Sequence, residues 1–252
     1  MKERLASYIK IFTLPILLSG CIETSRWNGM EFVNIQDSII SPYDIAVDME
    51  FANGKNPEQQ IIANNINAKL QDLFLEKVDT TNLPSTIKEY IKKLCDTYKQ
   101  EDINYHINRS DHLKGRFEYG LNGTVNYIFT EDYYGGGAHP TSTTVILCFN
   151  AETGSQITTN ELVVDSCRGK LIDKLTERLM KNVNVNSIDS LREMGYLDMS
   201  DMFISDNFLL GKDSISFYYN AYDIAPYAYG STTLSFSYEE LDGIITFSND
   251  NQ

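Results

Sequence analysis

Apolar residues recur at steps of three and four between Ile61 and Tyr98, and the step shortens to two from about Leu113 onward. The first helical run places Ile61, Ile62, Ile66, Leu70, Leu73 and Phe74 on one face. It follows Asn56-Pro57-Glu58-Gln59, where Asn56 is the expected cap, Pro57 the first-turn residue and Gln59 the completing member of a capping box. A second run, Ile87, Tyr90, Ile91, Leu94, Cys95 and Tyr98, predicts a helix that starts near Pro84. Two one-sided helices need a sheet to cover. Strand-like patterns running to about residue 40 and from Tyr43 to Phe51 supply it, giving a small α+β unit that ends near residue 110.

Beyond that point Val125, Tyr127 and Phe129 alternate with Asn126, Ile128 and Thr130, and Val145, Leu147 and Phe149 alternate with Thr144, Ile146 and Cys148. The turn Asn150-Ala151-Glu152-Thr153-Gly154 leads into Gln156-Ile157-Thr158 as a hairpin. Ser166 is the expected cap of a helix that points Leu171, Ile172, Leu175 and Leu179 inward and leaves Arg168, Lys170, Lys174, Arg178 and Lys181 to a solvated face. A shorter helix from Ser187 to Met194 stops at Gly195, which suits a left-handed cap. Phe208-Leu209-Leu210 and Ile215, Phe217 and Tyr219 flank Gly211-Lys212-Asp213, and a last strand runs through Leu234, Phe236 and Tyr238. The fold class read from these periods is α+β, with helices packed on mixed or antiparallel sheets. Two sub-domains, 21–110 and 111–252, are expected inside one compact body.

Composition agrees with a globular chain. Of 252 residues, 42% are apolar and 22% charged, with only 6 Pro and 15 Gly, which excludes disordered and collagen-like polymers. The formal charge of −14 repels phosphate backbones, so nucleic acid is not an expected partner.

The N-terminus sets the expected location. Lys2, Arg4 and Lys10 precede the apolar run Ile11 to Leu18, and the pattern reads as a secretory signal covering residues 1–20. Such a run reaches only ~12 Å as a helix against a ~30 Å hydrocarbon core, too short for a membrane span. Leu18-Ser19-Gly20-Cys21 resembles the bacterial lipobox, which implies acylation at Cys21 and a lipid anchor in the cell envelope. Ile22 after the cysteine, in place of Asp, favours the outer membrane where a cell has two. Cys148 and Cys167 close a short loop and are a possible disulfide in an oxidising compartment, whereas Cys95 falls on an apolar helical stripe as a buried thiol.

Two segments carry a family resemblance. Tyr133-Tyr134-Gly135-Gly136-Gly137-Ala138-His139-Pro140 is followed by a strand, the Thr153-Gly154 turn and Thr159-Asn160-Glu161-Leu162. Farther on, Phe217-Tyr218-Tyr219-Asn220-Ala221-Tyr222-Asp223-Ile224-Ala225-Pro226-Tyr227-Ala228-Tyr229-Gly230 leads into the strand Leu234 to Tyr238 and Glu239-Glu240-Leu241. In order and spacing, roughly residues 113 to 245 resemble the extracytoplasmic domain shared by RsiV-type anti-sigma factors and PdaC-type peptidoglycan deacetylases. The resemblance implies an α+β fold and, as in the RsiV-type proteins, direct binding of lysozyme. The chain departs from both groups: it lacks a spanning helix joined to a sigma-binding segment, and it lacks the metal-binding His pair of a deacetylase domain. An accessory or sensing module attached to lipid is the resulting expectation.

The chemistry-bearing residues fit that picture. Three glycines before Ala138-His139-Pro140 permit positive φ and close backbone approach, either to cradle a ligand or to make a tight crossing between strands. His139 serves as a general base only with a nucleophile or acid within ~3 Å. His106 and His112, with Asp111, match no metal spacing, and neither a nucleophile elbow nor a phosphate loop occurs. No metal, cofactor or catalytic residue is therefore expected. Tyrosine is abundant at 16 residues, and its rigid ring with a polar tip suits protein interfaces and sugar faces. Phe217 and Tyr219 fit strand alternation and belong to the core. The ligand-binding candidates are Tyr133, Tyr134, Gly136, His139, Tyr222, Tyr227 and Tyr229. The expected function is that of a non-enzymatic, lipid-anchored envelope protein binding a lysozyme-type protein or a cell-wall glycan such as a peptidoglycan fragment. The alternative is an envelope hydrolase acting on peptidoglycan through the His139 loop.

Overall fold

The computed structural model describes residues 30–73, 83–102, 108–121, 123–198 and 200–247. The expected signal segment and Cys21 lie outside the described residues, as do Phe74 and His106. Six strands form one sheet in the order β1 (Glu31–Ile39), β2 (Asp44–Asn53), β3 (Ser110–Tyr119), β4 (Thr124–Tyr134), β5 (Thr141–Asn150) and β6 (Gln156–Ile157). Every neighbour is antiparallel except β2 and β3, which pair in parallel from Asp44 beside Ser110 to Met49 beside Gly115. A parallel pair needs a long crossover, and α1 (Pro57–Leu70) and α2 (Leu83–Glu101) lie within it. The division expected at 110 and 111 thus falls at the start of a strand that is hydrogen-bonded into the N-terminal sheet, and both halves of the chain share that sheet.

The helix α1 begins as its sequence predicts, with Asn56 Oδ1 accepting the Gln59 N–H at 2.9 Å and Pro57 in the first turn. The box is displaced by one residue, because Gln59 Oε1 accepts the N–H of Lys55 at 3.0 Å. Ala63, Ile66 and Leu70 of α1 and Ile87, Ile91, Leu94, Cys95 and Tyr98 of α2 cover Ile45, Val47, Met49 and Phe51 of β2.

Strands β4 and β5 are covered on both faces where Thr124–Tyr127 pairs with Leu147–Asn150. Val125, Tyr127, Phe129 and Phe149 join the core under α1 and α2, while Ile146 and Cys148 point into a second core. That core is closed by an antiparallel sheet of β7 (Phe208–Leu210), β8 (Ser214–Tyr219) and β9 (Thr232–Ser237) and by α4 (Arg168–Val183), which contributes Leu171, Leu175 and Leu179. Phe217 and Tyr219 are fully buried there, as their alternation predicts. Short helices α3 (Thr159–Leu162) and α5 (Ile188–Glu193) complete the α+β architecture. Gly195 follows α5 at φ +89°, the left-handed stop expected of it. Ser166 is not the cap of α4: it lies in a 3-10 turn, Asp165–Cys167, and Cys167 occupies the cap position without a side-chain bond.

The possible Cys148–Cys167 disulfide is not formed, and both are free thiols. Cys148 points from β5 into the second core, where its sulfur lies 3.0 Å from Asn126 Oδ1 and 3.0 Å from the Phe208 carbonyl. Burial pushes this thiol up to about 12. Cys167 faces the Gly243 carbonyl instead, at 3.5 Å. Cys95 is a buried free thiol, as its place on the helical stripe predicts.

Candidate functional site

The glycine segment is the connection between β4 and β5. Gly136 takes φ +85°, a conformation that disfavours a side chain, so the loop needs a glycine for its turn. Successive strand residues face opposite ways, and Tyr133 and Tyr134 accordingly part company. Tyr133 turns toward the first core, with its ring 6.4 Å from that of Tyr98 and its hydroxyl 3.4 Å from Arg109 Nη1. Tyr134 stays with the loop, its hydroxyl donating to the Gly137 carbonyl at 3.2 Å.

His139 brings the two resemblance-bearing segments together. Its ring lies flat on that of Tyr227, with centroids 3.7 Å apart and planes inclined by 17°. Tyr227 is fixed by its hydroxyl, which donates to the Pro140 carbonyl at 2.9 Å, and His139 Nδ1 lies 3.0 Å from the same oxygen. Tyr222 stacks on Tyr227 at 5.7 Å. The result is a column of three aromatic rings, and its outer members are exposed.

Tyr222 is held in an unusual backbone state. Its φ is +74°, although the residue is bulky and its side chain is 52% exposed. The turn around it is closed by Tyr222 N–H to the Ala225 carbonyl at 3.0 Å, Asp223 N–H to the Asn220 carbonyl at 3.1 Å and Asn220 N–H to Asp223 Oδ2 at 2.7 Å. A neighbouring segment runs alongside, with Leu197 N–H donating to the Ile224 carbonyl at 2.8 Å and Ser200 Oγ to the Asp223 carbonyl at 3.0 Å. Tyr196 of that segment pairs with the exposed ring of Tyr229 at 5.0 Å. Of the nine exposed large apolar side chains among the described residues, four sit on these two segments: Met194, Phe203, Tyr222 and Tyr229. The exposed apolar side chains are thus enriched on these two neighbouring segments. Met194, Tyr196 and Phe203 escape the sequence reading because they follow no period and belong to no recognised motif.

The outer edge of β5 positions this surface. Asn207 Nδ2 donates to the Thr144 carbonyl at 3.0 Å and its Oδ1 accepts the Ile146 N–H at 3.2 Å. Asn220 clasps Thr144 from both sides, with Oδ1 accepting the N–H at 2.7 Å and Nδ2 donating to the carbonyl at 3.0 Å. Charge around the site is acidic: residues 187 to 230 hold seven carboxylates against Arg192 and Lys212. Among the described residues, no group of three His, Cys, Asp or Glu side chains is placed to hold a metal. His112 pairs instead with Asp44, Nε2 to Oδ2 at 3.2 Å.

A second polar cluster sits beneath α2. Asp111 is buried, with Oδ2 accepting from the Tyr98 hydroxyl at 2.9 Å and Oδ1 unpartnered. Arg109 donates to Asp102 Oδ1 from Nε at 3.1 Å and Nη2 at 2.7 Å, and its guanidinium lies 4.8 Å from the Tyr98 ring. These contacts pin the end of α2 to the start of β3.

Residues 160–239 match the family model described as Protein of unknown function (DUF3298). No curated protein matches the chain. A DUF3298 family protein from Bacteroides fragilis NCTC 9343 superposes with a TM-score of 0.73 at 22% identity, over 87% of this chain and 94% of that one. Another from Pseudomonas aeruginosa PAO1 gives a TM-score of 0.61 at 15% identity, over 86% of this chain and 94% of that one. Among the described residues no helix is long and apolar enough to cross a membrane. The stretch of the chain that carries both Tyr222 and Tyr227 thus lies within the segment that matches the DUF3298 model, in a fold shared with solved DUF3298 proteins.

Proposed function

We propose that this is a lipid-anchored cell-envelope binding protein without catalytic activity, and that the aromatic surface around Tyr222 and Tyr227 is where its ligand docks. The carrying observation is Tyr222 itself. A bulky residue at φ +74° stores strain of order 1–3 kcal/mol at a position where glycine would relax it, yet its ring faces solvent rather than the core. Backbone strain used to display an exposed aromatic ring supports recognition. The proposed ligand is a cationic protein of the lysozyme type. Three features support it: the resemblance to RsiV-type ectodomains, the net charge of −14, and the excess of carboxylates between residues 187 and 230. The contacts of His139 are an aromatic ring and a backbone carbonyl, which suits positioning rather than proton transfer.

Calorimetric titration of the chain from Ile22 onward with lysozymes and with muropeptides, at low and high salt, tests the proposal. Saturable binding of lysozyme, weakened by salt and by roughly tenfold or more in Tyr222→Ala, is the expected result. Binding of a muropeptide alone would reassign the ligand to a glycan. Peptidoglycan turnover abolished in His139→Ala would replace the binding role with that of a hydrolase. Mass spectrometry of wild type and Cys21→Ala tests the anchor, and an acyl-modified mass that survives the substitution would remove it.

A further inference from the structure

We infer that Asn220 is the positioning residue of the aromatic surface, tying the strand that follows the glycine loop to the turn that displays Tyr222; the inference rests on that surface being the ligand site. Its side chain and its main chain act on different partners. The amide grips both backbone groups of Thr144. Thr144 lies three residues beyond Thr141, the first residue of β5 after Pro140, whose carbonyl holds Tyr227 and His139. The Asn220 main chain opens the Tyr222 turn through its two bonds with Asp223. A closed circuit results: His139 loop, β5, Asn220, Tyr222 turn, Tyr227 and back to Pro140.

The surrounding structure is held independently. Asn207 binds the same Thr144 carbonyl and the Ile146 N–H, and β8 is anchored by the fully buried Phe217 and Tyr219. Removing the Asn220 amide therefore leaves the β5 edge, the second core and the turn's own bonds in place and unties the turn from β5. The turn then shifts relative to the His139 loop, and Tyr227 loses its fixed approach to His139.

The proton resonances of the His139 ring, assigned through His139→Gln, report the stack, because a ring lying 3.7 Å over Tyr227 feels its ring current. Asn220→Ala is expected to move these resonances to ordinary positions while thermal unfolding stays cooperative. Asn220→Asp keeps an acceptor for the Thr144 N–H but sets an oxygen against its carbonyl, and is expected to behave like the alanine variant. Asn207→Ala is expected to keep the shifted resonances. Retention of the wild-type shifts in Asn220→Ala would overturn the inference, as would their equal loss in Asn207→Ala. Should Asn220→Ala not fold, Asn220→Ser is read by the same criteria. Titration with lysozyme separates the two claims. Asn220→Ala is expected to bind roughly tenfold more weakly, and a collapsed stack with unchanged affinity would leave the positioning role intact while removing the ligand-site reading.

Discussion

The side-chain amide of Asn126 pairs with both backbone groups of Leu210, Nδ2 donating to the carbonyl at 3.0 Å and Oδ1 accepting the N–H at 3.1 Å. Asn67 does the same to Ala52, at 2.8 and 2.9 Å, where β2 continues beyond its register with β3. Asn220 repeats the arrangement on Thr144. An asparagine amide carries the same donor and acceptor as a peptide group, so each of these residues stands in for a missing strand at a point where an edge has to be closed. Asn126→Leu takes the acceptor from the Leu210 N–H, while the Leu210 carbonyl keeps the Leu121 N–H at 3.1 Å. A loss of about 1–3 kcal/mol is expected, read by urea unfolding monitored by circular dichroism.

Gly115 and Tyr127 make an opposite pair of predictions. A Cβ on Gly115 would lie 1.9 Å from the Tyr127 hydroxyl oxygen, and that hydroxyl is buried without a partner. Gly115→Ala is expected to cost about 2 kcal/mol or more through overpacking. Tyr127→Phe is expected to be neutral or slightly stabilising, because it deletes an unpaired polar group. The double variant should recover part of the loss, since the ring carbon at 2.5 Å still obstructs the new methyl. Thermal melts of the four proteins give the coupling directly.

The Asp111 cluster predicts a pH dependence. Burial holds the Asp111 carboxyl above the usual range, and Glu131 is raised by burial and by the charge of Asp111. A carboxyl whose folded value exceeds its unfolded one binds more protons when folded. Its contribution is therefore fully present below the unfolded value near ~4 and is lost as pH rises through the folded value. Asp111→Asn removes the charge and keeps an oxygen for Tyr98. It is expected to lose less stability than wild type as pH rises above the unfolded carboxylate value near ~4, measured by denaturant midpoints across a pH series.

Thiol chemistry separates the cysteines. Cys148 is buried with its pKa pushed up to about 12, and Cys95 is buried with its thiol also raised by burial, so both should resist an aromatic disulfide reagent in the native state. Half-exposed Cys167 should react first. Peptide mapping after mild oxidation is expected to find no Cys148–Cys167 link.

The helices were legible because Ile87, Ile91, Leu94 and Cys95 repeat within one element, where local spacing alone decides which face is buried. The parallel pairing of β2 with β3 left no such trace, being a contact between segments far apart in the chain, and this is why a boundary at 110 looked natural. Tyr222, Tyr227 and His139 were recognisable by residue type and by their place in two motifs. Their stacking was not, since it depends on where β5 and the Tyr222 turn meet. Tyr133 faces away from Tyr134 because successive strand residues alternate, which places its ring beside Tyr98. The asparagine clasps were invisible because asparagine reads as a turn former, and nothing in a linear pattern distinguishes Asn126 at a sheet junction from an asparagine in a loop.

The register from β1 to β5 gives the molecule a polarity. Glu31 lies beside Asn53 at one end of the sheet, whereas Ile39, Ile45, Ser110, Tyr134 and Thr141 mark the other, where the His139 loop projects. The nine residues of β1 span ~30 Å between those levels. Met30, the first described residue, therefore enters the sheet at one pole, and the aromatic surface built on the His139 loop occupies the other, a full strand length away.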